Sequence, residues 1–274
     1  MSLLSKDQKN LIDKALQLHK DGKIQEAISF YLKIIEDDKN NPQLLFLLGT
    51  ALVQIKDLKK GIEYLKKSIF LKPNNASAFS NLGNAFKELN HLDQALENYD
   101  KAIEINPKFA DAYSNRGIIL QEMRRFQEAL ESYNKAIEIK PDHSFAYNNR
   151  GIVLKDLNRF DEALSSYNKA IQINPMFIEP YNNMGNIFKD SKQYEEALKN
   201  FQKIMNLNRG YNYNLGKILH TSMFLSEWKN FDILYDQINI GINKKENVIE
   251  PFSFLGISDD PFSAKIVTEL FIKN

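Results

Sequence analysis

Glycine recurs with a fixed step along this chain. Gly49, Gly83, Gly117, Gly151 and Gly185 each follow the last by 34 residues. Pro73, Pro107, Pro141 and Pro175 keep the same step, and so do Ala95, Ala129, Ala163 and Ala197, with Ala27 and Gly61 upstream. Tyr99, Tyr133 and Tyr167 share it, joined by Tyr31, Leu65 and Phe201. A period in this range marks stacked units that cannot cover their apolar surface alone.

One unit, residues 76–109, shows what repeats. Phe79, Leu82, Gly83 and Phe86 stand at i, i+3, i+4 and i+7, one face of an α-helix. Asn90-His91 forms a short polar turn, and Leu92, Ala95, Tyr99, Ala102 and Ile103 resume helical spacing. Asn106-Pro107 closes the second helix, because proline lacks an amide hydrogen and pushes its predecessor out of the α region. Small Gly83 and Ala95 let the two helices approach, while Phe79, Phe86 and Tyr99 fill the space between neighbours. Each unit is a helical hairpin, so the expected fold is all-α, a right-handed α-solenoid closed by a C-terminal helical cap.

An aromatic residue four before a glycine, an alanine early in the second helix and a closing proline resemble the tetratricopeptide repeat. The stretches AYSNRGIILQEMRRFQEALESYNKAIEIKP and AYNNRGIVLKDLNRFDEALSSYNKAIQINP match throughout. Six units are expected: 8–41, 42–75, 76–109, 110–143, 144–177 and 178–211. A tail, 1–7, precedes them, and a helical cap or linker, 212–274, follows. The first unit is degenerate, with Ala15 for the glycine and Lys39 for the proline, and the sixth ends in Arg209. This resemblance specifies a scaffold rather than an activity.

The first helix of each unit has a face that packing within the hairpin does not claim. It carries Ser77, Asn81, Asn84 and Glu88; then Asp111, Asn115, Ile118 and Glu122; then Phe145, Asn149, Ile152 and Asp156; then Glu179, Asn183, Asn186 and Asp190. By the family resemblance this face lines a concave groove. The candidate peptide-binding residues are Asn81, Asn84, Asp111, Asn115, Asn149, Glu179, Asn183 and Asn186. An asparagine amide offers donors and acceptors together, so a row of them can hold the backbone of an extended peptide. The same asparagines can instead bridge neighbouring helices or bond water. The acidic row, Glu88, Glu122, Asp156 and Asp190, reads as solvated charge near turns.

The asparagine row adds a narrower resemblance, to the peptide-binding superhelix of protein O-GlcNAc transferases. Asp13 and Leu47 depart from it in the first two units. The tail pieces LHTSMFLSEWKNFD and PFSFLGISDDP are similar to the linker of bacterial O-GlcNAc transferase and SPINDLY-type proteins. Phe252 and Ser253 stand where some members carry histidines, so no catalytic residue is carried over. After Asn212 the 34-residue register fades. Helices are expected over Leu215–Phe224, around Phe231 to Ile238, and from about Phe262 to Phe271, with Asp260 as an N-cap and Trp228 in the core.

Charge and composition narrow the rest. Lys+Arg is 36 against Asp+Glu 35, which gives no electrostatic case for nucleic acid. With no cysteine, disulfides, thiolate metal sites and cysteine nucleophiles are excluded. His19, His91, His143 and His220 lack metal-ligand spacing, and no P-loop or GxSxG motif occurs. The most apolar stretch, Leu44–Val53, falls short of the roughly 20 residues a membrane span needs. The expectation is a cytoplasmic interaction scaffold that binds a protein or extended peptide. It uses no cofactor, metal, membrane or nucleic acid, and is non-catalytic by itself. The alternative is the substrate-recognition part of an O-GlcNAc transferase-like enzyme. A clamp for acidic C-terminal tails fits less well, because the face is rich in asparagine and acid.

Overall fold

In the computed structural model the described residues are 6–208, 211–226, 230–258 and 260–272. The expectations for Arg209, Trp228 and Asp259, and for the side chain of Phe252, lie outside them. The described secondary structure is entirely helical, the α-solenoid class that the repeats predict. The chain divides into two compact units, Met1–Asp142 and His143–Asn274.

The first unit holds four helical hairpins: α1 (Lys6–Lys20) with α2 (Ile24–Asp37), α3 (Pro42–Gln54) with α4 (Leu58–Leu71), α5 (Ala76–Glu88) with α6 (Leu92–Ile105), and α7 (Ala110–Glu122) with α8 (Phe126–Ile139). Each second helix packs on the next first helix, and α5 touches both α3 and α7. The core is made of clusters that each draw on successive hairpins. Tyr31, Ile34, Leu44, Leu45 and Leu48 are sealed in one cluster. Leu65, Leu82, Phe86, Tyr99 and Ile119 form the next.

The second unit begins with two hairpins, α9 (Ser144–Asp156) with α10 (Phe160–Ile173) and α11 (Ile178–Asp190) with α12 (Tyr194–Leu207). The tail adds α13 (Asn214–Phe224), α14 (Phe231–Asn243), a short α15 (Pro251–Leu255) and α16 (Pro261–Ile272). One cluster, including Phe201, Ile204, Leu219, Ile238, Ile249, Phe254 and Val267, joins the last repeat to the tail. Val248 and Ile249 are clasped by glycines. A Cβ on Gly216 would stand 2.7 Å from Ile249 Cγ1, and one on Gly241 would stand 2.4 Å from Val248 Cγ1. Asp260 caps α16, accepting from the amides of Phe262 at 3.2 Å and Ser263 at 3.0 Å. A bond from the Ser263 side chain and these amide bonds hold its carboxyl below the usual range.

The glycines of the period have a steric job. A Cβ on Gly117 would lie 2.6 Å from the Tyr133 ring, and one on Gly151 would lie 2.6 Å from the Tyr167 ring. Both rings are fully buried. Four hairpins thus seat a ring against the bare backbone at their glycine, and at Gly49 the neighbour is Leu65.

The turns repeat as well. Lys56, Asn90, Arg124, Asn158 and Lys192 all take left-handed φ near 60°, in phase with Gly22. The following amide bonds back across each turn, His91 N to Phe86 O at 2.9 Å and Arg125 N to Leu120 O at 2.8 Å. This closure satisfies carbonyls at the end of the first helix. The same geometry recurs once more at Ser226 (φ 55°), one period after Lys192. The fading register after Asn212 therefore needs correction. Motif residues are lost there, yet α13 ends at Phe224, one period after Asp190 ends α11.

Candidate functional site

The first-helix row is half-buried, and its amides are tied to one another. In the first unit Asn81 Nδ2 donates to Thr50 Oγ1 at 2.8 Å, from α5 to α3. Asn115 Nδ2 donates to Asn84 Oδ1 at 3.3 Å, from α7 to α5. Both bonds join the residue two before a glycine to the residue just after the preceding glycine. Asn84 Oδ1 also accepts from Tyr99 OH at 2.6 Å. Packing within the hairpin therefore claims Asn84, contrary to the helical-face expectation.

In the second unit the places one after the glycine are Ile152 and Asn186. Isoleucine cannot accept a bond, so the acceptor moves four residues back along the helix, to Asn148. Asn183 Nδ2 donates to Asn148 Oδ1 at 3.2 Å, from α11 to α9, and Asn148 Nδ2 donates to Asn149 Oδ1 at 3.2 Å. The inter-helix bridging that the sequence left open is thus present at Asn81, Asn115 and Asn183. It uses one polar atom of each amide. The Oδ1 atoms of Asn81, Asn115 and Asn183, and Nδ2 of Asn149, have no hydrogen-bond partner among the described residues.

Asn186 is half-buried, and Asp111 and Glu179 are exposed at the start of their helices. Phe145 occupies the equivalent place on α9. Its ring is 58% exposed and rests on Phe177, with centroids 4.8 Å apart. In the acidic row Glu88 pairs with Lys56, and Asp156 lies 3.6 Å from Lys155. The Lys56 bond and charge hold the Glu88 carboxyl below its usual range. The row behaves as solvated, partly neutralised charge.

Sequence reasoning missed the contribution of α13. Tyr213, Lys217, His220 and Phe224 fall one period after Glu179, Asn183, Asn186 and Asp190. Lys217 Nζ donates to Asn182 Oδ1 at 2.6 Å, a bond from the same row position to the preceding first helix. The 34-residue step carried past the lost glycine would have found these positions.

Among the described residues no group of three or more His, Asp or Glu is placed to hold a metal ion, and no helix is long and apolar enough to cross a membrane.

Helical hairpins of 34 residues, four of them with a ring lodged on a glycine, define the class, and the chain is a tetratricopeptide-repeat protein. Models of the repeat match residues 83–123, 109–175, 42–75 and 178–211, together more than half of the chain. Among solved structures, one of MamA is 30% identical, with a TM-score of 0.54 over 59% of this chain and 94% of that one. MamA 41-end from Desulfovibrio magneticus RS-1 is 18% identical, with a TM-score of 0.57 over 63% and 98%. YrrB, described as a TPR protein with an unusual peptide-binding site, is 20% identical, with a TM-score of 0.55 over 70% and 97%. At these lower identities the likeness shows the fold alone. No curated protein matches the chain.

Proposed function

We propose that this chain is an interaction scaffold whose first-helix face holds an extended polypeptide, and that it has no catalytic function of its own. One observation carries the reading. In each unit, amides on neighbouring first helices are fixed by one bond to the scaffold and keep a second polar atom unpartnered. A side chain held this way loses little rotamer freedom when it bonds a ligand. A peptide backbone presents alternating N–H and C=O groups that such a row can meet without reading side chains. Asn81, Asn84 and Asn115, with Asp111, serve in the first unit. Asn149, Asn183 and Asn186, with Glu179, serve in the second. The printed description of YrrB, a repeat protein with a peptide-binding site, agrees with this use of the fold.

The substrate-recruiting arm of a glycosyltransferase is a narrower form of the same reading. It rests on the tail sequence, and none of the geometry favours it over a plain scaffold. The expected setting is the cytoplasm.

The test is peptide capture from an unbiased library by the wild-type chain, by Asn81→Ala with Asn115→Ala, and by Asn149→Ala with Asn183→Ala. The first pair also removes two helix bridges and the second pair one, each worth about 1 kcal/mol, so binding is compared at a temperature where all three chains are folded. Each pair is expected to weaken capture. Equal capture by all three chains would reduce the row to a bridging role.

A further inference from the structure

The helix α16 buries one face and leaves the other bare. Val267 is sealed in the tail cluster, with Ala264 and Ile266 packed against it. On the opposite side, at about 100° per residue, stand Phe262, Lys265, Glu269 and Ile272, all exposed. Phe262 is 70% exposed and Ile272 76%, more than any other described large apolar side chain except Phe70. Phe271 does not share this face; its ring meets Tyr213 edge-on, with centroids 6.0 Å apart.

The four residues are spaced three, four and three apart, the a/d seam of a coiled coil. The seam is a palindrome in character: apolar, basic, acidic, apolar. Positions 262 and 272 lie equally far from 267, and so do 265 and 269. Laid antiparallel on a second copy, Phe262 therefore meets Ile272 of the partner subunit, and Lys265 meets Glu269 of the partner subunit. A twofold interface must contain its own complement, and this stripe does. The flanks of the seam, Ile266 and Thr268, bring no charge against it. Within one chain the Lys265 ammonium lies 4.0 Å from the Glu269 carboxylate, with both side chains more than half exposed. So loose and solvated an ion pair contributes little and is readily exchanged for one across a dimer.

We propose that the face of α16 bearing Phe262, Lys265, Glu269 and Ile272 is a homodimer interface, closed by an antiparallel second copy of the same helix. It stands apart from the first-helix row, and neither reading depends on the other. The 12 residues of α16 make a helix about 18 Å long. One such pair falls short of the roughly 1,000 Å² of a stable interface, so the dimer forms and parts readily. Charge sets its orientation. A parallel pairing would place each lysine against a lysine and each glutamate against a glutamate, and like charges reject that arrangement.

Disulfide trapping tests the register in a chain that has no native cysteine. Chains carrying Lys265→Cys and chains carrying Glu269→Cys are mixed in equal amounts and oxidised. The mixed pair brings the two thiols together and keeps one lysine–glutamate contact in the other layer. Mixed disulfides should outnumber the two kinds of homodisulfide severalfold. The proportions of random pairing would overturn the interface.

Sedimentation at rising chain concentration is the second readout. The wild-type chain should associate. Lys265→Glu and Glu269→Lys should each stay monomeric, because each gathers like charges at the centre of the seam. Their equimolar mixture should associate again, and so should one chain carrying both reversals. That double variant keeps the net charge of +1, so its recovery reports the pairing and not overall charge. Both positions are exposed, where substitutions seldom disturb folding. A wild-type chain that stays monomeric at every concentration, or single reversals that associate as it does, would overturn the proposal.

Discussion

Tyr167 should be improved by losing its hydroxyl, and Tyr99 should be harmed by it. Both rings are completely buried at equivalent places, against Gly151 and Gly83. Their hydroxyls differ. Tyr99 OH donates to Asn84 Oδ1 at 2.6 Å, and Tyr133 OH donates to Gln121 Oε1 at 3.2 Å. Tyr167 OH is buried with no partner among the described residues, because Ile152 and Lys155 stand where Asn84 and Gln121 supply acceptors to the other two rings. Burial raises the pKa of this phenol, so it stays neutral and the whole penalty is a stranded polar group. Leaving such a group unsatisfied costs about 1–3 kcal/mol, while a satisfied bond contributes about 1 kcal/mol. Tyr167→Phe should therefore stabilise by about 1 kcal/mol or more, and Tyr99→Phe should destabilise by about 1 kcal/mol. Phenylalanine already occupies this place at Phe201, also fully buried.

A repeat chain in two units need not melt in one step, so a single midpoint is a poor readout. Native-state amide exchange in α10 and α6 reports the opening free energy of each hairpin separately. Protection should rise in α10 of Tyr167→Phe and fall in α6 of Tyr99→Phe. The same sign in both variants would refute the argument from partners.

Three further outcomes follow from the fold. Gly117→Ala drives a Cβ to 2.6 Å from a buried Tyr133 ring and should cost about 1–3 kcal/mol, read by denaturant titration. Arg124 is exposed at φ 58° on a turn, so Arg124→Gly removes a left-handed strain of about 1–2 kcal/mol. Glycine returns about 0.5–1 kcal/mol of unfolded-state entropy, which leaves a net gain under about 1 kcal/mol in thermal melts. The lowered pKa of His220 means the unfolded chain binds its proton first. Its contribution is fully present above about pH 6.5 and is lost as pH falls through the depressed folded-state pKa, so wild type should lose more stability than His220→Gln between pH 7.5 and 5.5. Equal losses would show that burial and Lys189 leave the ring unperturbed.

The hairpins were legible because their chemistry repeats. A glycine must face each ring, and Gly83, Gly117, Gly151 and Gly185 announce it. The turns were less legible. Glycine or asparagine usually signals left-handed φ, yet Lys56, Arg124 and Lys192 take it with no such mark. There the stacked hairpin imposes the backbone and the side chain tolerates it. The continued period in the tail was hidden for a related reason. Leu219 replaces the glycine, so the motif stops, while row positions Lys217 and His220 and the turn at Ser226 continue. For the candidate site, spacing located the asparagines on one face. It could not show that Asn84 serves Tyr99, or that Ile152 forces Asn183 onto Asn148, because those outcomes depend on side chains of the partner helix or of the next repeat.

Photo-crosslinking tests the central claim most directly. Benzoylphenylalanine is placed at Ile118 and Ile152, half-buried beside the asparagines on the first-helix face, and at Glu131 and Glu195, exposed on second helices. With a library-selected peptide, cross-links should form from positions 118 and 152 and not from 131 or 195. Cross-links confined to 131 and 195 would place the ligand on the opposite surface and contradict the account.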